Sequence, residues 1–150
     1  MTAKPRLIVP FNDHAKVQFA EAEPGACVAQ IPAAPELTNH MGTVHGGALF
    51  TVAEAASGRA FLEALLAHAP SAGWDLAQLS TVVRSARIHF RKPARGAISA
   101  HAHVVTPTEQ WAGALAERGK ATAEVSVDIK DASGTFVANM QVEWHLGRAA

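Results

Sequence analysis

From Gly47 to Leu66 the chain runs without a proline through residues that are mostly Ala, Leu, Phe, Val, Glu and Arg. These residue types favour helix. Ala48, Val52, Ala55, Ala56, Phe61 and Leu65 recur near one face at 3-to-4 spacing, the pattern of a helix with a buried stripe. The spacing predicts a helix that ends at Ala69-Pro70, because proline cannot continue one, with His68 to Asp75 as a loop. No other stretch predicts a helix of comparable length, so the rest of the chain must be built against this one.

Downstream the period changes from helical to two. Val82, Ala86, Ile88 and Phe90 share a face, broken only by Arg84, and oppose Thr81, Ser85, Arg87, His89 and Arg91. Ile98, Ala100, Ala102 and Val104 oppose Ser99, His101 and His103. Ala123 to Ile129 and Phe136 to Leu146 alternate in the same way. Four such strands, each with one apolar face, describe an antiparallel sheet covered on one side. Lys92-Pro93-Ala94-Arg95-Gly96 and Asp131-Ala132-Ser133-Gly134 are expected as hairpin connections. Thr106-Pro107-Thr108-Glu109 reads as a capping box opening a short helix, Pro107 to Arg118, which Gly119 stops. That helix is an insertion into an otherwise simple meander.

Upstream, Val17 to Ala22 and Ala26 to Ile31 read as extended segments around the turn Glu23-Pro24-Gly25. Leu7 to Val9 is a short apolar run closed by Pro10, and Pro32 and Pro35 force a loop into the central segment. The expected class is α+β: one long helix on the concave face of a curved antiparallel sheet. A chain of 150 residues suits a single domain with one core.

Composition narrows the function classes. Thirteen Lys and Arg balance thirteen Asp and Glu, which leaves no electrostatic footprint for nucleic acid or a membrane surface. Cys27 is the single cysteine, which excludes an internal disulfide and a multi-thiolate metal site. His101-x-His103 places two imidazoles on one strand face without a third ligand at a standard spacing, so no metal site is expected. The N-terminal MTAKPRLIVPFNDH has a three-residue apolar run, too short for a signal peptide. No run reaches the ~18 apolar residues of a membrane span. A cytoplasmic protein is the default expectation.

The chemical oddity is Glu54. It sits among Ala53, Ala55 and Ala56, and the positions three and four away are Thr51, Phe50, Ser57 and Gly58, none of them basic. Just before the helix stand Asn39, Gly42 and His45-Gly46-Gly47. Asn39 is seven positions before Gly46, and Glu54 is eight after it. A helix N-terminus offers unpaired N–H groups and partial positive charge, and glycine lets a substrate approach the backbone. The N–H of Gly46 or Gly47 can hold a developing oxyanion. Glu54 can activate water or attack directly, and Asn39 can orient the water or the carboxylate. Eight helical residues span ~12 Å and turn roughly 80°, so Gly46 and Glu54 of one chain cannot meet at one carbon. If both act, the site combines two subunits about a twofold axis.

With these residues in place, Asn39-x2-Gly42-x2-His45-Gly46-Gly47-x6-Glu54 resembles the signature of hot-dog-fold acyl-CoA thioesterases, particularly the phenylacetate-pathway and 4-hydroxybenzoyl-CoA groups. The stretch His89 to Gly96 and the order of one helix followed by four strands resemble that family too. The resemblance implies a hot-dog fold and hydrolysis of an acyl-CoA to free acid and coenzyme A, the latter present only as part of the substrate. It also implies a homodimer or homotetramer with shared sites. Some members carry Ser or Thr on the strand after the helix. By alignment on Pro93 that position is Val83 here, which leaves Thr81 as a substitute hydroxyl. Arg91, Lys92 and Arg95 either meet coenzyme A phosphates or form a solvated turn. His45 either fixes the loop or touches substrate. The rival readings are a hot-dog hydratase or dehydratase and a non-catalytic acyl-CoA-binding protein.

Overall fold

The structure, a computed structural model, describes residues 8–149; the expectation at Leu7 lies outside them. In chain order come α1 (Pro10–His14), β1 (Gln18–Glu23), β2 (Ala26–Ile31), a 3-10 turn (Pro35–Leu37) and α2 (Gly46–Ala72). A second 3-10 turn (Leu76–Gln78), β3 (Leu79–Phe90), β4 (Ile98–Val104), α3 (Thr108–Arg118), β5 (Lys120–Lys130) and β6 (Phe136–Arg148) follow. Every strand pair is antiparallel, in the order β1-β2-β4-β5-β6-β3. Among the described residues no helix is long and apolar enough to cross a membrane.

The long helix is present and is longer than its sequence predicts. It passes Pro70 and closes at Gly73, whose φ of 69° is the left-handed conformation that glycine adopts freely. Trp74 N–H returns to Ala69 O at 3.0 Å. Proline there removes one N–H of the ladder within the final turn, and the turn closes around it, so His68–Ala72 is helix rather than loop. Nor is burial confined to one stripe. Leu49, Val52, Ala53, Ala56, Ala60, Phe61 and Leu65 are all inside, and so are Thr51, Ser57 and Glu63. A sheet that curves round a helix covers more of its circumference than a flat one, and the small Ala-rich surface lets the strands approach.

The inserted helix α3 forms and ends at Gly119 (φ 72°) as expected, but its start differs. Thr106 Oγ1 accepts from Glu124 N–H of β5 at 2.9 Å, so it is not free to cap α3 and the expected capping box does not form. Trp111 carries α3 into the core, edge-on to Phe61 at 5.3 Å between ring centres. Trp74 and His68 complete that aromatic cluster.

The order of the sheet corrects the meander. β5 and β6 form a hairpin through Asp131–Gly134, but β3 pairs with β6 and β4 lies between β2 and β5. The segment 91–97 is therefore a crossover, not a hairpin. It is pinned where it passes the start of α2: Arg91 and Lys92 N–H donate to Val137 O, Ala94 O accepts from Val44 N–H, and Ala132 N–H donates to Arg95 O. Alternation reveals which residues face which side but not which strands are neighbours.

β3 also carries a β-bulge between Val83 and Ser85, with Arg84 as the extra residue. Beyond it Ala86, Ile88 and Phe90 pair with Val142, Met140 and Ala138 on the helix side. Before it the sides exchange. Thr81 pairs with the buried Leu146 and Val83 with Trp144, while Val82 pairs with His145 and faces outward. The expected face containing Val82 is corrected accordingly, and Thr81 and Val83 move to the side of α2. β3 is an edge strand left largely uncovered, with Val82 56% and Phe90 57% exposed. The sequence expectation of an apolar face covered within one chain fails at this strand.

Candidate active site

The loop before α2 is built by Asn39. Its Oδ1 accepts from Met41 N–H at 2.9 Å and Thr43 N–H at 3.2 Å, and its Nδ2 donates to Thr43 Oγ1 at 2.8 Å. A short amide side chain that bonds the backbone two residues on is the usual way to close such a turn. The bridge Thr38–Val44 and the bond from His45 N–H to Leu37 O (2.8 Å) hold its ends. Asn39 thus fixes the entry to the helix and keeps one Nδ2 proton uncommitted.

His45 is the N-cap of α2, and its Nδ1 accepts from Gly47 N–H at 2.8 Å. An accepting Nδ1 carries no proton, which places the neutral ring's proton on Nε2. The two glycines of the motif are thereby distinguished. Gly47 N–H is taken by the cap, whereas Gly46 N–H has no partner among the described residues. Gly46 also meets β3. A Cβ there would stand 3.2 Å from Cζ of Phe90, so the missing side chain is what lets the strand end close over the start of the helix.

Glu54 lies two turns on, half-buried, in a strip of α2 with Phe50 and Gly58 that the core does not fully cover. It makes no side-chain hydrogen bond or ion pair among the described residues. Burial alone pushes its carboxyl pKa above the ordinary value. Ser57, one turn later, donates from Oγ to Glu54 O at 2.7 Å and accepts from Trp144 Nε1–H at 2.9 Å. Trp144 lies against Gly58, where a Cβ would sit 2.9 Å from the indole ring. Val83 is register partner to Trp144, so β6 lies between the Glu54 strip and β3. Neither Ser57 nor Trp144 stands out as a functional residue in the sequence. Their signal is only a small-residue pair, Ser57-Gly58, in a helix otherwise rich in Ala and Leu.

The remaining site candidates separate. Arg91 is held on the outer side of the sheet, where Nε donates to Asn139 Oδ1 at 2.7 Å and the guanidinium lies 5.6 Å from the Phe136 ring centre. Lys92 and Arg95 are exposed on the crossover beside the start of α2. His101 and His103 face outward on β4, His101 sharing a 3.0 Å hydrogen bond with Ser99. The sequence gives no reason to single out Glu63, yet it is the most buried acid of α2 at 2% exposure. It pairs with Arg59 at 2.8 Å. Arg59 also lies over the ring of Phe19, and Cys27 nearby has its thiol raised to about 11, chiefly by burial. Cavities of about 730, 620 and 440 Å³ open elsewhere, and none of these three is lined by Asn39, Gly46 or Glu54.

Comparison with known proteins bears on this arrangement. The family described as a domain of unknown function, DUF4442, matches residues 3–146. No curated protein matched the sequence. Among solved structures, PA5026 from Pseudomonas aeruginosa, described as of unknown function and a probable thioesterase, is 28% identical. That match covers 94% of this chain and 89% of that one, with a TM-score of 0.76. AziG of S. sahachiroi is 25% identical over 94% and 98% of the two chains, with a TM-score of 0.72. The E. coli PaaI protein of the phenylacetic acid degradation operon is 18% identical over 93% and 84%, with a TM-score of 0.68. A six-stranded antiparallel sheet curved round one long helix is the hot-dog fold these structures share.

Proposed function

This chain belongs to the DUF4442 family, and from that membership and the site on α2 we propose that it is a thioester hydrolase, splitting an acyl-CoA into a free acid and coenzyme A. The observation that carries the reading is Glu54: a carboxylate with no partner among the described residues, half-buried, on the helix whose first N–H, at Gly46, is also unpartnered. The thioesterase description of PA5026 supports it.

Glu54 takes a proton from water as the water oxygen bonds to the thioester carbon. Charge then gathers on the carbonyl oxygen, where Gly46 N–H and the positive end of α2 meet it. The C–S bond breaks as the tetrahedral carbon collapses, and the proton held by Glu54 passes to the departing sulfur. Direct attack by the carboxylate, through an anhydride that water then opens, uses the same groups. Asn39 holds the loop that aims Gly46, and its remaining Nδ2 proton can orient the water. Thr81 and Val83, on the helix side of β3, border the acyl group, and Lys92 and Arg95 face phosphate at the rim.

If Gly46 and Glu54 both act on one carbon, their spacing along α2 means that each site draws Glu54 from a second copy. The uncovered β3 edge supports this, because a long unpaired strand with Val82, Val83 and Phe90 exposed is a surface for strand pairing.

Glu54→Gln, assayed against short, medium, long and aromatic acyl-CoAs, tests the reading. Turnover should fall ~10²-fold or more with the fold retained. Unchanged hydrolysis would sink it, and a wild-type protein that binds acyl-CoA without turning it over would favour a binding protein.

A further inference from the structure

On the outer side of the sheet, opposite α2, cations from three elements surround a hollow that the thioester chemistry does not use. Thr122, His145 and Val82 are register partners across β5, β6 and β3, and Lys120, Gly147 and Ser80 form the next row. The intervening row includes Leu146, fully buried toward the helix, so both these rows point outward. Gly147 indents the surface. A Cβ there would stand 3.1 Å from His145 Nε2, so the imidazole lies down over the glycine instead of standing out from the sheet. The resulting hollow is about 620 Å³, with Arg84, Arg118, Lys120, Thr122 and His145 on its walls.

Arg118 alone would need no further account, since a cation in the last turn of a helix answers the helix dipole. The convergence is different. Arg84 stands on the β3 bulge, Arg118 ends α3 and Lys120 opens β5. Arg84 meets Glu143 at 3.4 Å, while Arg118 and Lys120 have no ion pair among the described residues. Two uncompensated cations and a third only partly compensated repel each other about one depression, and an anion seated between them relieves that repulsion. Guanidinium forks and a lysine match the oxygens of a phosphate ester, and the Thr122 hydroxyl and His145 ring add donors. The size admits a nucleoside diphosphate.

We propose that this hollow is a binding site for a phosphate ester of the nucleoside-diphosphate class. Its ligand is either the nucleotide end of a coenzyme A substrate or a free nucleotide. The site itself does not depend on thioester hydrolysis; only the substrate as its source does. Titration calorimetry of the whole chain at low salt, with ADP and with inorganic pyrophosphate, is the test. Saturable binding is expected below about 1 mM, at least ~10-fold weaker in Arg118→Ala/Lys120→Ala and weakened by salt. Arg84→Gln, on another element that lines the hollow, carries the same expectation should the double variant not fold. No saturable binding by the wild type, or equal binding by the folded variants, overturns the proposal. Steady-state kinetics then identify the source. A KM raised for acyl-CoA but not for acyl-pantetheine assigns the site to the substrate's nucleotide. An unchanged KM with lost ADP binding assigns it to a free nucleotide.

Discussion

At Glu54, burial raises the carboxyl pKa, and this has opposite consequences for activity and for stability. As a base or nucleophile the group must be ionised, so kcat/KM should fall on the acid side through a limb that lies above the ordinary carboxylate range. Stability runs the other way. A folded-state pKa above the unfolded value means that the contribution is fully present below the unfolded pKa, about 4.3. It is lost as pH rises through the folded pKa. Glu54→Gln should therefore melt at a higher temperature than the wild type at pH 7, and the two should converge near about pH 4. Thermal denaturation across that range checks the sign; a variant less stable than the wild type at pH 7 contradicts it. Glu54 is legible in the sequence because no base stands three or four residues away. Glu63 is not, because Arg59 four residues earlier makes it look like an ordinary surface pair, and nothing local reveals that the helix is buried on that side as well.

At the scale of elements, the seam between α2 and β6 fixes the turn of α2 next to Glu54. Ser57 and Gly58 receive Trp144, one by a hydrogen bond and the other by having no side chain. Alanine for glycine in a helix gains about 1 kcal/mol of propensity. At Gly58, however, the new Cβ would meet a ring that is 8% exposed and tied to Ser57. Overpacking of that kind costs ~1–3 kcal/mol, so the clash should outweigh the propensity. Gly113 in α3 has nothing within 4 Å of its missing Cβ, so there propensity acts alone. Gly58→Ala is expected to lower the unfolding free energy and Gly113→Ala to raise it by up to ~1 kcal/mol, as measured by urea denaturation. Two changes of the same sign would discredit the seam. The strands are legible one by one because period two is a local property. The Arg84 bulge and the β3-to-β4 crossover are not, since both depend on partners distant in sequence. Thr81 and Val83 shift sides for that reason alone.

For the whole molecule, the decisive question is whether one chain contains a complete site. Gly46 offers a substitution suited to asking it. Proline is tolerated as the first residue of a helix, and His45, at φ −63° and ψ 137°, already has the backbone that a following proline requires. Gly46→Pro therefore removes the proposed oxyanion donor while leaving α2 its start, and Phe90, more than half exposed, has room to yield. Loss of one such donor costs ~10²–10³ in kcat, so Gly46→Pro and Glu54→Gln should each be nearly inactive as homodimers. If Gly46 of one subunit works with Glu54 of the other, a mixed dimer has one site with both groups intact and one with neither. Random reassociation makes half the dimers mixed, so refolding the two variants together should restore about one quarter of wild-type activity. If instead each chain supplied both groups to its own site, every site in the mixture would lack one of them and no activity would return. The same refolded sample, sedimented at assay concentration, should show twice the mass of one chain. An active single chain would remove the twofold requirement and leave the exposed β3 edge to be explained by some other partner.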